Sequence, residues 1–283
     1  MSILEHFPSD CTPRDSQQYI LERIEKSTEK FIVVQAPTGS GKSHLAATVA
    51  NSSNSPTPLY TNLVNDYQMF KREFQGGYLH RDTVMEMPKF GCSVLTVTKA
   101  LQNQYDDLFN NSDLLKGKQN YVCELDNDFD CDFAPCTPAP KVMEQCKMVD
   151  RCRHLNAQRA AFVSKFSVYN YSTFLTLPEH IQQKQILICD EASELEDELV
   201  KYYQCHLDYK RMKIDDLGVS KLLTDDRNKA YRWLTDLSDK VKDRYETIQE
   251  AFSKHKDNKR LLKSKIIEYR MYKQMYEKLN LVL

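Results

Sequence analysis

Apolar and polar positions along this chain shift from helical to strand-like spacing and back, and each shift marks an element. Residues 14–28 carry the spacing of an amphipathic helix. Phe31-Ile-Val-Val-Gln35 is a short, β-branched apolar run that predicts a buried strand. The glycine-bearing stretch Ala36-Pro-Thr-Gly-Ser-Gly-Lys-Ser43 follows, and helical composition resumes from His44 to Ala50. Asn51-Ser-Ser-Asn-Ser-Pro-Thr-Pro58 reads as a loop, and residues 59–91 as a helix plus an irregular insertion. Ser93-Val-Leu-Thr-Val97 predicts a strand, Lys99–Phe109 a helix, and Ile186-Leu-Ile-Cys189 a further strand ending at Asp190-Glu191. Between 111 and 152 the chain is polar, Pro-containing, Cys-rich and without a strong period, as expected of a small subdomain organised by something other than a core. Beyond Glu194 nearly everything is helical in composition, with Gly218 as the single glycine and no proline. Alternating strands and helices imply an α/β fold with a parallel sheet to about residue 195, then an all-helical segment.

Composition narrows the class. Hydrophobic residues make up 41% and charged residues 28%, a globular composition. No run of about 18 apolar residues spans a membrane. The N-terminus, MSILEHFPSDC, lacks the basic and apolar regions of a signal peptide, so a cytoplasmic protein is expected. The net charge of −1 gives no global attraction for nucleic acid. Charge is instead local: Asp126, Asp128, Asp130 and Asp132 form an acidic stretch, and Lys254–Arg270 is basic. Any DNA site is therefore a groove rather than a whole face.

Only seven glycines occur, and two of them are Gly39 and Gly41. The stretch 36–43 fits a phosphate-binding loop with Ala36 in place of the first glycine. Thr38, Gly39, Ser40 and Gly41 supply backbone N–H groups for phosphates, Lys42 reaches the β- and γ-phosphates, and Ser43 ligates Mg2+. Asp190 closes an apolar strand and would hold Mg2+, and Glu191 would orient the attacking water. An acidic pair alone is common on surfaces. Its weight comes from the strand before it and the glycine loop upstream.

Five of the nine cysteines, Cys123, Cys131, Cys136, Cys146 and Cys152, crowd into 30 residues or so. Such density in a cytosolic chain points to metal or cluster binding rather than disulfides. The spacings from Cys136 to Cys146 and from Cys146 to Cys152 are longer than the short knuckles structural zinc prefers, which suits a [4Fe–4S] cluster better. Zinc and unligated thiols remain alternatives. Cys11, Cys92, Cys189 and Cys205 read as plain buried small residues.

APTGSGKS and Asp190-Glu191-Ala-Ser193 resemble motifs I and II of superfamily 2 helicases, with Ser193 where His or Asp is usual. Pro13-Arg14-x-x-Gln17 resembles the adenine-reading element ahead of motif I, with Gln17 as the adenine contact and Arg14 beside it. Thr96-x-Thr98-Lys99-x-Leu101-Gln102-x-Gln104 resembles motif Ia, which bonds phosphates of single-stranded DNA. Val168-Tyr-Asn170-Tyr171 also resembles a segment ahead of motif II, and Tyr171 reads equally as a base-stacking or a core tyrosine. The cysteine region lies between motifs Ia and II, as in DinG/XPD-type iron–sulfur helicases. Lys116-Gly117-x-x-Asn120-Tyr121-x-Cys123 and Cys152-x₄-Ala157-x₃-Ala161 resemble the DinG-like branch, including phage members.

That resemblance implies a RecA-like lobe in two parts, 1–110 and 161–200, interrupted by an Fe–S subdomain at 111–160 and followed by an arch-like helical segment at 201–283. It implies Cys123, Cys136, Cys146 and Cys152 as cluster ligands, with Cys131 as the alternate. It also implies ATP and Mg2+ as cofactors, single-stranded DNA as partner, and 5′–3′ unwinding. Motifs of a second lobe, with its arginine finger, are not found. The expectation is a chain that binds nucleotide and hydrolyses it poorly unless a separately encoded second lobe joins it. Two rivals stand beside this reading: a non-hydrolysing P-loop module that binds single-stranded DNA, and a zinc-containing P-loop phosphotransferase acting on a small molecule.

Overall fold

Four parallel strands organise the first of two compact units. The structure is a computed structural model, and it describes residues 2–65, 89–134, 146–177, 179–205, 225–254 and 259–283, with 207, 217–219 and 222. The strands are β1 (Cys92–Thr96), β2 (Asp113–Leu115), β3 (Phe166–Asn170) and β4 (Ile186–Cys189), in spatial order β2-β3-β1-β4. All pairings are parallel: Val94 lies opposite Val168 on one side and Ile188 on the other, and Leu114 lies opposite Val168. This unit comprises Met1–Gly117 and His154–Glu198.

Successive residues of a strand point to opposite faces, and both faces of a parallel sheet are normally covered. Cys92 and Val94 of β1 join Phe166 and Val168 of β3 in one core. That face is covered by α2 (Lys42–Ser52), through Ala46, Ala47 and Ala50, and by α4 (Lys99–Leu108), through Tyr105 with Phe109 just beyond it. The three alanines bring the α2 backbone close to the sheet. Leu95 and Tyr169 face the other way, into a core with Leu115, Phe162, Tyr171 and Phe174. There α5 (Arg153–Val163) and α6 (Tyr171–Leu175) contribute, together with Tyr60 and Val64 of α3 (Pro58–Asn65). Only the first part of the 59–91 expectation can be placed, as α3; residues 66–88 lie outside the described ones.

The helix expected at 14–28 is α1 (Asp15–Lys26), which buries Leu21 against Leu45 and Ile3. The strand expected at 31–35 does not form. Phe31 is 81% and Val33 92% exposed, and no backbone hydrogen bond ties residues 31–35 to the sheet among the described residues. β propensity expresses fit to a half-buried pleated surface, and a run without a neighbouring strand has no such surface. Among the described residues β4 is accordingly an edge, paired to β1 alone, and Leu187 is 51% exposed.

The second unit comprises Lys118–Arg153 and Leu199–Leu283. Its frame is the antiparallel pair α8 (Arg227–Lys254) and α9 (Lys259–Val282), preceded by α7 (Leu195–Tyr203), which starts in the first unit. Leu237, Val241 and Ile248 pack with Ile266, Tyr272, Met275 and Leu279. The Arg244 guanidinium meets the Glu268 carboxylate at 2.7 Å across the pair. The Cys-rich stretch was expected to lack a core, and there the structure corrects the sequence reading. Cys123, Phe129 and Ala134 enter the same apolar cluster as α8 and α9. Arg270 pairs with Asp132 and lies 4.3 Å over the Phe133 ring. Among the described residues no helix is long and apolar enough to cross a membrane.

Candidate functional site

Strand order makes the connections diverge beside β1, which leads through α4 to β2 on one side, while β4 lies on its other side. In open parallel sheets, ligands bind beyond the carboxyl ends of strands at such a point. The glycine loop and the acidic pair both arrive there.

The glycine loop is shaped by its own backbone and by α1. Gly39 and Gly41 sit at φ of +80° and +83°, a left-handed conformation that disfavours other residues. The first turn of α1 grips the loop's carbonyls. Arg14 Nη1 donates to Gly39 O at 3.2 Å, and Gln17 Nε2 donates to Ser40 O at 3.1 Å and Gly41 O at 3.5 Å. A Cβ at Gly41 would lie 2.2 Å from Gln17 Nε2, so a side chain there would push that amide off the loop's carbonyls. Gln17 Oε1 accepts from the Arg14 N–H at 2.9 Å. Both ends of the amide expected to read adenine are therefore engaged within the protein, and Gln17 is buried.

Lys42 begins α2, with Gly41 as its N-cap. Its ammonium donates to Ala36 O at 3.4 Å and lies 3.8 Å from Glu191 Oε1. Thr38 is exposed, whereas the Ser40 hydroxyl is buried without a hydrogen-bond partner among the described residues. An orphaned hydroxyl inside a glycine loop is costly and fits a site that expects an oxygen-rich ligand.

Asp190 is held from four directions. Its N–H donates to Leu95 O at 2.9 Å, which continues the β1–β4 ladder. Its Oδ1 accepts from the Glu191 N–H at 3.1 Å, its Oδ2 from the Tyr105 hydroxyl at 2.9 Å, and its carbonyl from the Tyr171 hydroxyl at 3.1 Å. Burial, followed by the charge and hydrogen bond of Asp190, pushes the Tyr105 phenol well above its ordinary range, and the side chains of Ser43 and Cys92 are further neighbours. Glu191 adopts φ 54° and ψ 51°, and it is the one non-glycine residue with positive φ among those described. Such strain clusters at sites where a side chain must be aimed.

Tyr105 was not singled out from sequence. The available signal was a tyrosine within the apolar stripe of α4: a buried phenol needs a polar partner, and the stripe offers none.

The residues expected to contact DNA separate into two groups. Thr98 and Lys99 are exposed, with Thr98 capping α4 by accepting from Leu101 N–H at 3.2 Å. Thr96 and Gln102 are fully buried; Thr96 Oγ1 donates to Tyr169 O at 3.4 Å, and Gln102 Nε2 to Leu115 O at 3.4 Å. Asn170 caps α6 through Thr173 N–H at 2.6 Å, and Tyr171 is a core residue with 1% exposure. Of the two readings of Tyr171, its place in the core is the one found.

Of the cluster cysteines, Cys123 and Cys131 are buried, Cys146 and Cys152 half-buried, and all four are free thiols. Cys136 lies outside the described residues. Cys123 N–H donates to Phe129 O and Cys131 N–H to Tyr121 O, around an antiparallel bridge of Val122 with Asp130. That register sets Cys123 and Cys131 on the same face of the hairpin, diagonally related. Among the described residues no three His, Cys, Asp or Glu side chains gather closely enough to hold a metal ion. Elsewhere, Cys92 is buried as expected, Cys189 and Cys205 are half-buried, and Cys11 is exposed, with its Sγ 3.6 Å from His44 Nε2. Comparison with known protein families, curated proteins and solved structures finds no match for this chain.

Proposed function

We propose that this chain is the nucleotide-binding part of an ATP-dependent DNA helicase of DinG/XPD type, with its sheet as a RecA-like lobe. One observation carries the reading. Ser43 and Asp190, the expected Mg2+ ligands from distant parts of the sequence, are neighbours of a single hydroxyl, and Lys42 stands beside Glu191 at the carboxyl edge of the sheet. A chance glycine turn and a chance acidic pair have no reason to meet.

Each residue then has a definite task. Gly39 and Gly41 keep the loop open, while Arg14 and Gln17 tie its carbonyls outward, which leaves N–H groups for phosphate oxygens. Lys42 exchanges its weak contact with Glu191 for the β- and γ-phosphates. Ser43 and Asp190 would hold Mg2+, which supplies charge neutralisation at the transferring phosphoryl group. Glu191, released from Lys42, orients water. DNA contact in this reading rests on Thr98 and Lys99, the exposed members of the motif Ia-like segment. The thiols of Cys123, Cys146 and Cys152, with Cys136 or Cys131, are proposed to hold a [4Fe–4S] cluster as a structural staple, and zinc is the competing occupant.

Equilibrium binding of a fluorescent ATP analogue tests the nucleotide site. Wild-type protein is expected to bind in Mg2+, and Lys42→Ala to bind about 10- to 100-fold more weakly, the scale of one lost charge-assisted contact. Equal binding by both would remove the proposal. Metal analysis after anaerobic purification tests the cluster: iron with broad visible absorption supports it, and colourless zinc replaces it.

A further inference from the structure

The phenol of Tyr105 is the hinge of the acidic site. Its hydroxyl donates to Asp190 Oδ2 at 2.9 Å, and the Ser43 side chain is a polar neighbour of the same group. The ring is fully buried. It meets Phe166 edge-on, with centroids 6.1 Å apart and planes at 90°, and Phe109 at 5.8 Å. Aromatic packing on two sides leaves the phenol oxygen little freedom, so it is a fixed point against which the two polar side chains are placed.

We propose that Tyr105 is a positioning residue for the metal–nucleotide site: it orients the Asp190 carboxylate, beside Ser43, toward one divalent cation while touching neither phosphate nor metal itself. This inference rests on the nucleotide reading above.

Three features of the geometry argue for it. Asp190 Oδ1 is committed to the Glu191 N–H and Oδ2 to the phenol, so the carboxylate plane is fixed before any ligand arrives. Oxygens that accept one hydrogen bond each keep further lone pairs, so the carboxylate can ligate a cation without leaving its partners. Outer partners of this kind orient metal ligands, and their loss typically costs 10- to 100-fold in metal affinity. Finally, the phenol stands where two chain segments that no backbone hydrogen bond joins come together, the start of α2 and the end of β4. A hydroxyl fixed to the strand's aspartate and set beside the loop's serine holds the carboxylate in place in the free protein, which lowers the ordering cost when the cation binds. Tyr171 reaches Asp190 too, but through the backbone carbonyl, and so fixes the chain rather than the carboxylate.

The experiment uses the full chain as wild type, Tyr105→Phe and Phe109→Leu. Mg2+ is titrated against binding of a fluorescent ADP, and Mn2+ occupancy is read in parallel by electron paramagnetic resonance. Tyr105→Phe is expected to need about 10- to 100-fold more Mg2+ or Mn2+ for half-saturation. Its affinity for nucleotide in the absence of metal should stay within about twofold of wild type, because no phosphate contact is lost. Phe109→Leu loosens the same aromatic packing without touching the phenol, and its metal response is expected to match wild type. An unchanged metal requirement in Tyr105→Phe overturns the inference and leaves the nucleotide reading standing. An equal loss in Phe109→Leu also overturns it, since packing alone would then account for the effect. Failure of wild type to bind nucleotide at any Mg2+ concentration brings down the nucleotide reading, and this inference with it.

Discussion

Phe31-Ile-Val-Val34 and Ile186-Leu-Ile-Cys189 are nearly the same kind of sequence, and they have opposite fates. Both are short and apolar with β-branched residues, both follow a lysine closely, and both lead into chemistry: the first into the glycine loop, the second into Asp190-Glu191. Yet Val33 is 92% exposed, while Ile188 lies opposite Val94 in the sheet and packs into its core. Their lysines differ in the same way. Lys30 lies 5.4 Å from the exposed Phe31 ring, whereas the Lys184 ammonium is buried and bonded to Ala161 O at 3.0 Å, Ser164 O at 2.7 Å and the Ser167 hydroxyl. A strand is thus a property of a run and its neighbour together, and local sequence supplies one half of it.

That contrast can be broken by substitution. Ile188→Asp places a charge in the core against α2 and β1, and a loss of about 3 kcal/mol in denaturant unfolding is expected. The lysines give a smaller and pH-dependent effect. Burial holds the Lys184 amine down to about 7, so the folded chain sheds this proton while the unfolded chain keeps it into the ordinary lysine range. The unfolded state then binds more protons above pH 7, and stability should rise with pH by at most about 1.4 kcal/mol per unit. Burial also raises the Cys92 thiol to about 12, an opposite one-proton difference that levels the trend once an unfolded thiol ionises, near pH 8.5 or so. Thermal midpoints between pH 7 and 8.5 should therefore climb in wild type and not in Lys184→Met. The smallest effect belongs to the exposed run. Val33→Asp should leave unfolding stability within about 0.5 kcal/mol, and a loss as large as that of Ile188→Asp would show that the two runs are equivalent after all.

Much of the first unit was legible because its helices and two of its strands repeat with clear periods. Asp15–Lys26, Lys42–Ser52, Cys92–Thr96, Lys99–Leu108 and Ile186–Cys189 all fall within a few residues of expectation. β3 carried a polar residue second in the strand: Ser167 is buried and donates to Ala161 O at 2.6 Å, a satisfaction that exists only once α5 is in place. β2 is three residues long and has no period to read. In the site, the glycines and the acidic pair announce themselves by spacing. Tyr105 does not, because its partner lies across the sheet, and Gln17 looks like a surface reader until its amide is found against the loop's carbonyls. Thr96 and Gln102 match a pattern of polar contacts to a ligand, but their partners turn out to be Tyr169 O and Leu115 O. Polar residues in a motif can serve the fold, and sequence spacing does not separate the two uses.

The two compact units are interleaved along the chain: each is made of two stretches, and each is interrupted by a piece of the other. During synthesis the first strands emerge before β3 and β4, which complete their sheet, and the cysteine hairpin emerges before the helices that share its core. Neither unit can finish until the ribosome has passed through part of its neighbour, so both close long loops late and leave apolar surface waiting in the interval. No single cut in the gene yields either unit whole, and a protease nick at residue 117 or 153 would sever connections without releasing a domain.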